Sequence, residues 1–185
     1  GFKTDKFEID LMRTIAQKMT SINEFLIFFQ TVFIHRQIST SNHIGMVSSI
    51  VGVCFYRFVE KRPDLFFIPG KIESVEDVEK YKMDMLRFIK AGALLHDIGK
   101  LGNTALINLH FRKITDREYG RIKAHSSLGG EIVKGIPYLE IYRDFILGHH
   151  KFWNDEKGYP ESFKVQDSAY KYYVGLITLA DCIDS

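Results

Sequence analysis

Apolar residues recur every three or four positions along most of the chain, which is the spacing of one face of an amphipathic helix. The first such run covers residues 9–30, and it predicts an N-terminal linker helix that packs on the domain that follows. Its apolar face contains Leu11, Ile15, Met19, Ile22, Phe25 and Phe29. We assign residues 1–35 to this linker and residues 36–185 to the domain.

Capping signals, glycines and prolines divide the rest of the chain into further helices. A polar turn at residues 37–42 precedes the second helix, and capping boxes that begin at Ser74 and Thr115 open two others. Gly99 stands where a helix commonly ends in a left-handed conformation, and Asp167 is suited to cap the last helix. The predicted helices cover residues 43–61, 74–97, 115–134, 138–147 and a final segment after residue 167. No segment alternates as a strand does, so the predicted fold class is all-α.

The composition adds limits on location and partners. The chain has 45% hydrophobic and 26% charged residues, and its net charge of +2 is too small to indicate binding to DNA, RNA or a membrane surface. The apolar run at residues 25–34 is too short to span a bilayer, which takes ~20 residues. Cys54 and Cys182 form no CxxC motif and suit a reducing compartment. We therefore expect a cytoplasmic domain, excised from a longer protein.

The candidate chemistry lies in an ordered pattern of histidines and aspartates. Five of the seven histidines take part, and His35 and His110 do not. The pattern is His43, His96-Asp97, His125, His149-His150 and Asp181. Adjacent His-Asp and His-His pairs are costly in an ordinary core, because each buried polar group needs a partner. Imidazoles and carboxylates suit Mn, Fe or Zn, and this set exceeds the needs of one ion, so we predict a two-metal hydrolytic site.

Asp97 and Lys100 are the predicted catalytic residues. At the end of a helix before Gly99, Asp97 can bridge two ions ~3.5–4 Å apart, and a shared water of pKa ~7 would then supply the attacking hydroxide. Lys100 can place its ammonium against a phosphate oxygen. It has a simpler explanation as well, since the helix dipole favours lysine near a C-terminus. His43 at a helix start and His125 on a helix face also have purely structural explanations.

Residues 94–100, with the sequence LLHDIGK, and His125 with Gly129 resemble the HD superfamily of metal-dependent phosphohydrolases. His149-His150 followed by Gly158-Tyr159-Pro160 is similar to its HD-GYP branch in particular. The resemblance implies an HD-domain helical bundle with the metal site between helices, a pair or trio of Fe or Mn ions, and hydrolysis of the bacterial signalling molecule cyclic di-GMP. By match, His43, His96, Asp97 and Asp181 would hold one ion, Asp97, His125, His149 and His150 the second, and Lys100 would contact phosphate. Asp184 is an alternative ligand to Asp181, although the Ala180-Asp181 context fits the family better.

Several positions depart from the family pattern. Ser39 replaces the glutamate of three-metal members, so we predict two divalent ions; Zn, Ni or Mg could replace Fe or Mn in a purified sample. Lys151 replaces the glutamate of the family's HHExxDGxGYP stretch, Glu156 replaces a glycine, and one residue is inserted. The family also continues past Asp181 with a helix that bears phosphate-binding arginines, and we expect this chain, whose sequence ends at Ser185, to lack it.

The sequence therefore predicts a phosphodiesterase that hydrolyses cyclic di-GMP or a related cyclic dinucleotide by attack of a metal-bridging hydroxide. An upstream sensor domain, a GGDEF-type partner and a homodimer are the expected associations. Trp153 and Tyr159 are predicted to stack on the substrate's bases, although both could equally close the loop over the core. Two alternatives stay open: another HD-superfamily nucleotide phosphohydrolase, or a catalytically impaired HD-GYP module that binds metal or ligand and regulates a partner, which Lys151 favours.

Overall fold

The computed structural model describes residues 2–103 and 113–185, and helices dominate this part of the chain. The α-helices are α1 (Phe2–Ala16), α2 (Ile22–Arg36), α3 (Ile38–Lys61), α4 (Val75–Leu95), α5 (Asp116–Lys123), α6 (His125–Val133), α7 (Pro137–Glu140), α8 (Arg143–Gly148) and α9 (Lys171–Asp184). Short 3-10 helices cover Pro63–Phe66, Ile98–Asn103 and Val165–Asp167. Within the described residues the only β pairing is two isolated bridges. The predicted all-α fold class is confirmed.

The helix α3 is the centre of the bundle. It packs against α4 along one side and α9 along another, while α8 lies against α4, α6 and α9. Phe55 of α3 contacts the rings of Phe66 and Tyr173, with centroids 5.2 Å and 6.4 Å away, and all three side chains are buried. Full burial of an aromatic or aliphatic side chain contributes about 1.5–3 kcal/mol. These contacts fix α9 against α3, and both helices carry residues of the site described below.

By length and apolar composition, α3 is the one helix of the described part that could cross a membrane. A core helix meets the same two criteria, and the contacts of α3 are those of a core helix. Ile44, Val47, Val51 and Phe55 are fully buried against neighbouring helices. The buried apolar face of α3 therefore follows from its central position in the bundle, while Met46, Val53 and Phe58 of the same helix are exposed.

The N-terminal segment consists of two helices, so the prediction of one continuous helix over residues 9–30 is wrong. The helix α1 ends at Ala16. Ser21 then caps α2 by accepting a hydrogen bond from the Glu24 N–H at 3.3 Å. Both helices pack on the domain. The guanidinium of Arg13 donates to the carbonyl of Ile132 at 3.2 Å, and the Tyr138 hydroxyl donates to the carbonyl of Ala16 at 2.7 Å. A domain boundary near residue 35 stays a prediction.

Four other predicted boundaries need correction. The helix after Thr115 is interrupted at Ala124, so that His125 begins a separate helix, α6. The segment 138–147 divides into α7 and α8. Asp167 ends a 3-10 turn and does not cap α9, whose N-cap is Tyr170 without a side-chain hydrogen bond. The turn predicted at residues 37–42 is also shorter, since α3 begins at Ile38.

Gly99 is required for close packing and not for a left-handed helix end. The glycines with positive φ in the described residues are Gly70, Gly135 and Gly158. A Cβ at Gly99 would overlap the carbonyl oxygen of His125 and would lie 2.6 Å from the backbone nitrogen of Gly129. The chain after Asp97 therefore passes directly over the first turn of α6, and this contact brings His96 and Asp97 close to His125.

Candidate metal centre

The structure brings together all seven predicted ligand residues, which come from five parts of the fold. His43 lies on α3, His96 and Asp97 follow α4, His125 begins α6, His149 and His150 follow α8, and Asp181 lies on α9. They form two groups in which the candidate ligand atoms lie within 4.8 Å of one another. His35 is exposed on α2, and His110 lies outside the described residues.

The first group consists of His43, His96 and Asp181. The Nε2 atom of His43 lies 3.0 Å from Asp181 Oδ1, and that of His96 lies 3.9 Å from the same oxygen. His96 is fully buried, whereas the His43 side chain keeps 17% of its surface exposed. Two imidazole nitrogens thus face one carboxylate at the junction of α3, α4 and α9.

The second group consists of Asp97, His125, His149 and His150. Asp97 Oδ1 lies 3.2 Å from His125 Nε2 and 3.8 Å from His149 Nε2. The two Nε2 atoms of His125 and His149 lie 3.1 Å apart. His150 is the partly exposed member, and its Nδ1 lies 3.8 Å from Asp181 Oδ2, which joins this group to the first.

Asp97 is shared between the two groups. While Oδ1 faces the second group, Oδ2 lies 3.4 Å from His96 Nε2 and 3.7 Å from His43 Nε2. A carboxylate with one oxygen toward each of two ligand groups is the arrangement that two-metal hydrolases use. Asp97 can take this position because it lies just past the end of α4, where the backbone turns into the 3-10 helix Ile98–Asn103.

Backbone carbonyls orient three of the imidazoles in the same way. The Nδ1 atoms of His96, His125 and His149 lie 2.6–2.8 Å from the carbonyl oxygens three residues earlier, at Ala93, Ile122 and Ile146. Because a carbonyl can only accept, each Nδ1 must carry the hydrogen. Each neutral ring therefore directs the lone pair of Nε2 into the site, as in protein-bound metal centres.

Without a cation, this arrangement leaves buried polar atoms unsatisfied. His96 Nε2 and Asp97 Oδ1 have no hydrogen-bond partner. Although Asp97 Oδ1 is 3.2 Å from His125 Nε2, that nitrogen carries a lone pair, so the contact joins two acceptors. Buried polar groups are normally paired, and a divalent cation would satisfy these atoms together. The two buried His/Asp groups can hold metal ions.

The pKa shifts in the site favour the ligand forms of these groups. Burial raises the pKa of Asp97, but the electrostatic effects of the neighbouring His96 and of the Lys100 ammonium outweigh it and hold that pKa well below the usual value. Burial and then repulsion from His150 lower the pKa of His149 well below 6.5. Burial is also the main cause that lowers the pKa of His150 to about 4. Asp97 is therefore a carboxylate, and His149 and His150 are neutral imidazoles, near pH 7.

Asp184 contacts His43 on the side of the ring that faces away from the candidate metal ligands. Its Oδ2 lies 2.7 Å from His43 Nδ1, while His43 Nε2 faces Asp181. The sequence suggested Asp184 only as a substitute ligand, whereas the structure places it on the far side of the ring. The signal for this role is the spacing of three residues between Asp181 and Asp184, which places both on one helix face.

Lys100 contacts the site directly, and sequence reasoning missed the residue that holds its backbone. The Lys100 ammonium contacts Asp97 Oδ2. The carbonyl of Lys100 accepts a hydrogen bond from Gln37 Nε2 at 3.2 Å, and Gln37 also accepts one from the Thr40 hydroxyl at 3.0 Å. Gln37 is buried at the junction of α2 and α3. Nothing in its sequence context distinguishes it from an ordinary polar turn residue.

The two aromatic residues predicted to bind substrate occupy different surroundings. The Tyr159 ring lies 4.6 Å from the ring of His150 and 6.1 Å from that of His125. Trp153 lies against Tyr172 of α9, with ring centroids 5.3 Å apart. Tyr172 precedes Asp181 by nine residues, which is ~180° around a helix at ~100° per residue. Trp153 therefore lies on the side of α9 opposite Asp181, and substrate contact by either aromatic residue stays a prediction.

The fold and site together define an all-helical domain with paired His/Asp groups for metal ions. The HD domain family matches residues 73–185, which is more than half of the chain. The chain belongs to the HD domain family, and the resemblance predicted from its motifs is confirmed. His43, on α3, lies before the matched region but contributes to the first group.

Several curated proteins are similar to part of the chain. A cyclic di-GMP phosphodiesterase of Thermotoga maritima is 31% identical over 99 residues, covering 52% of this chain and 26% of that protein. A cyclic di-GMP phosphodiesterase of Vibrio cholerae is 30% identical over 107 residues, or 54% of this chain and 21% of that protein. A probable cyclic di-GMP phosphodiesterase of Vibrio cholerae is 33% identical over 101 residues, which cover 50% of this chain and 22% of that protein. The chain thus spans about a quarter of the length of these relatives. No solved structure matches it.

Proposed function

We propose that this chain is a metal-dependent phosphodiesterase domain that hydrolyses cyclic di-GMP or a related cyclic dinucleotide with two divalent ions. The main support is Asp97, whose two oxygens face the two groups of candidate ligands. The three relatives are named as cyclic di-GMP phosphodiesterases or probable ones, which supports this substrate class.

In this proposal His43, His96, Asp97 and Asp181 hold one ion, and Asp97, His125, His149 and His150 hold the other. Fe or Mn is the expected metal, since imidazole and carboxylate together suit both. When bound, the two ions would supply a water of lowered pKa and would neutralise charge on the phosphate. The carbonyls behind His96, His125 and His149 keep the three rings aimed into the site before the metal arrives.

Lys100 is the proposed phosphate contact. Its ammonium touches Asp97 Oδ2, and its side chain is 21% exposed, so one side of the charge stays open to an incoming phosphodiester. A donor that is already in place when negative charge develops lowers the barrier without reorganisation. The Gln37 hydrogen bond to the Lys100 carbonyl fixes the backbone from which this side chain extends. Tyr159 is the proposed aromatic contact to the substrate, because its ring lies beside that of His150.

The second candidate function is a metal-binding regulatory module with impaired catalysis. The observation that favours it is Lys151, which follows His150 directly, stands where the HD-GYP pattern has a glutamate, and is buried. A positive charge at this position alters the surroundings of the GYP loop. Both versions of the proposal include a cytoplasmic location. Both also include attachment to an upstream sensor or GGDEF-type domain and formation of a dimer.

One experiment separates these functions. The purified protein is analysed for bound metal and is then assayed against cyclic di-GMP, other cyclic dinucleotides and nucleoside monophosphates. We expect about two ions per chain and turnover of a cyclic dinucleotide. Two ions without turnover of any substrate would favour the regulatory module, and turnover of mononucleotides alone would indicate a different HD phosphohydrolase. A chain that binds no divalent metal would refute both versions.

A further inference from the structure

A cavity of about 290 Å³ lies beside α9, outside the metal centre. One wall is formed by the loop after His150, and the other is formed by a face of α9 on which the lining residues recur every four positions. The residues that matter here are Lys151, Trp153, Val165, Val174, Thr178 and Cys182. None of the seven candidate metal ligands lines it, and its surroundings are mainly apolar. The cavity is therefore separate from the proposed hydrolytic site.

Lys151 lines this cavity with a largely buried side chain, but its ammonium nitrogen is not among the fully enclosed polar atoms. The residue is only 5% exposed, and within residues 2–103 and 113–185 its ammonium forms no hydrogen bond or ion pair. Its backbone is well fixed, because its N–H donates to the Gly148 carbonyl at 2.8 Å and it pairs with Gly158 in an isolated bridge. Since the described residues supply no counter-charge, this ammonium can pair with an anion that enters the cavity.

Trp153 gives the cavity a flat aromatic rim. Its ring is about half exposed, and it lies close to Gly175, where an added Cβ would be 3.4 Å from the indole. The lack of a side chain at Gly175 lets the ring approach α9. The Trp153 carbonyl accepts a hydrogen bond from Gln166 Nε2 at 2.6 Å, which fixes the loop. An exposed indole face next to an unpaired ammonium is suited to a ligand with a flat apolar body and a negative charge.

The remaining walls limit the chemistry of the ligand. Val165 and Val174 are buried and apolar. The Thr178 hydroxyl donates to the Val174 carbonyl at 3.0 Å, so its oxygen is free to accept but its hydrogen is used. One ammonium is thus the main donor, which suits a singly charged carboxylate better than a phosphate dianion with its many acceptor oxygens. The volume is at the lower end of ligand sites, about 300–1,000 Å³, and suits a single ring.

We propose that this cavity is a binding site for a small aromatic carboxylate. The Lys151 ammonium pairs with the carboxylate, and the ring of the ligand lies against Trp153 and the valine side chains. This site does not depend on the phosphodiesterase proposal, because its residues are not candidate metal ligands.

Trp153 makes the proposal directly testable, because it is the single tryptophan in the chain. The metal-free protein is titrated with benzoate, with its uncharged analogue benzamide, and with inorganic phosphate, while indole fluorescence is recorded. We expect a saturable change with benzoate, and at least tenfold weaker binding of benzamide, since a charge-assisted hydrogen bond is lost. Phosphate should give no saturable change.

Two variants provide the matched comparison. Lys151→Met keeps the length of the side chain but removes the charge, and Lys164→Met does the same at an exposed lysine of the same loop. We expect Lys151→Met to weaken benzoate binding at least tenfold and Lys164→Met to leave it unchanged. Equal binding of benzoate and benzamide by the unmodified protein, or no saturable change with benzoate, would overturn the proposal even if Lys151→Met failed to fold.

Discussion

His43 lies between two carboxylates of the same helix: its Nδ1 is 2.7 Å from Asp184 Oδ2 and its Nε2 is 3.0 Å from Asp181 Oδ1. The hydrogen bond to Asp181 is the main cause that raises the pKa of His43, against the opposing effect of burial. A metal ion would replace the contact between His43 Nε2 and Asp181. The hydrogen bond between Asp184 and His43 Nδ1 would remain. Asp184 therefore sets the orientation of the ring and the tautomer of a metal ligand.

Replacement of Asp184 should weaken metal binding without unfolding the protein. Carboxylates behind ligating histidines typically contribute 10–100-fold in metal affinity or activity, and we expect Asp184→Ala to lose affinity within this range. The measurement is a competition titration against a metal-binding dye. Asp84→Asn, which changes an exposed aspartate paired with Arg87 on α4, is the control. Equal affinity in both variants would show that Asp184 does not position His43.

Substitutions of single ligands should change metal stoichiometry in a pattern that follows the two groups. His43→Ala affects only the first group and His150→Ala mainly the second, so each should retain about one ion. Asp97→Ala should reduce the content of both sites, because its oxygens face both. Elemental analysis of the purified variants measures the counts. Retention of two ions by Asp97→Ala would contradict the bridging role of this carboxylate.

Lys100→Met should reduce turnover while metal content stays normal. Loss of a donor that stabilises developing negative charge commonly costs about 10²–10³-fold in kcat, and we expect a decrease of this size. Lys61→Met, at an exposed lysine on α3, should have no effect. If Lys100→Met loses metal and activity together, the lysine acts by holding Asp97 and not by contacting phosphate.

Gly99→Ala should destabilise the fold. Its methyl group would overlap the His125 carbonyl oxygen, and overpacking of this kind typically costs about 1–3 kcal/mol. Gly45→Ala is a matched control, because a Cβ at this position on α3 has nothing within 4 Å, and alanine stabilises a helix interior by about 0.5–1 kcal/mol. Urea unfolding of the metal-free proteins measures both changes. Equal destabilisation by the two substitutions would rule out the close packing as the cause.

The metal-free protein should lose stability between pH 6.5 and pH 4. His149 and His150 have lowered pKa values in the folded state, about 4 for His150, so the unfolded chain binds more protons in this window. Folding keeps these two imidazoles neutral at no cost above pH ~6.5, the pKa of an unfolded histidine. The free energy of unfolding then decreases as the pH falls below this value. The contribution of His43 to the pH dependence of stability has the opposite sign. Its pKa is raised in the folded state, so it adds stability below pH ~6.5 that is lost at higher pH.

This dependence can be checked by urea unfolding at several pH values in the presence of a chelator. His150→Gln should reduce the slope of the unfolding free energy between pH 6.5 and 4. His35→Gln, at an exposed histidine, should leave the slope unchanged. An unchanged slope in the His150 variant would contradict its buried, neutral state.

Short-range signals explain why much of the site could be predicted from the sequence. The capping boxes at Ser74 and Thr115 are present with both reciprocal hydrogen bonds, and they fix where α4 and α5 begin. The order of histidines and aspartates indicated the seven residues that the fold brings together. Breaks such as the one at Ala124 were not predictable, because they depend on packing between distant segments. The role of Gly99 is of the same kind, since its reason lies in the path of α6 and not in its own neighbours.

Each ligand group has one member that reaches solvent: the His43 side chain is 17% exposed and that of His150 is 28% exposed. The other members are almost fully enclosed. If two ions are bound as proposed, each would have one partly exposed ligand, and we expect one ion to exchange while the other is retained. Chelators should accordingly remove the two ions in separate kinetic phases, and a singly loaded form should be isolable. Such a form would let the two positions be filled with different metals.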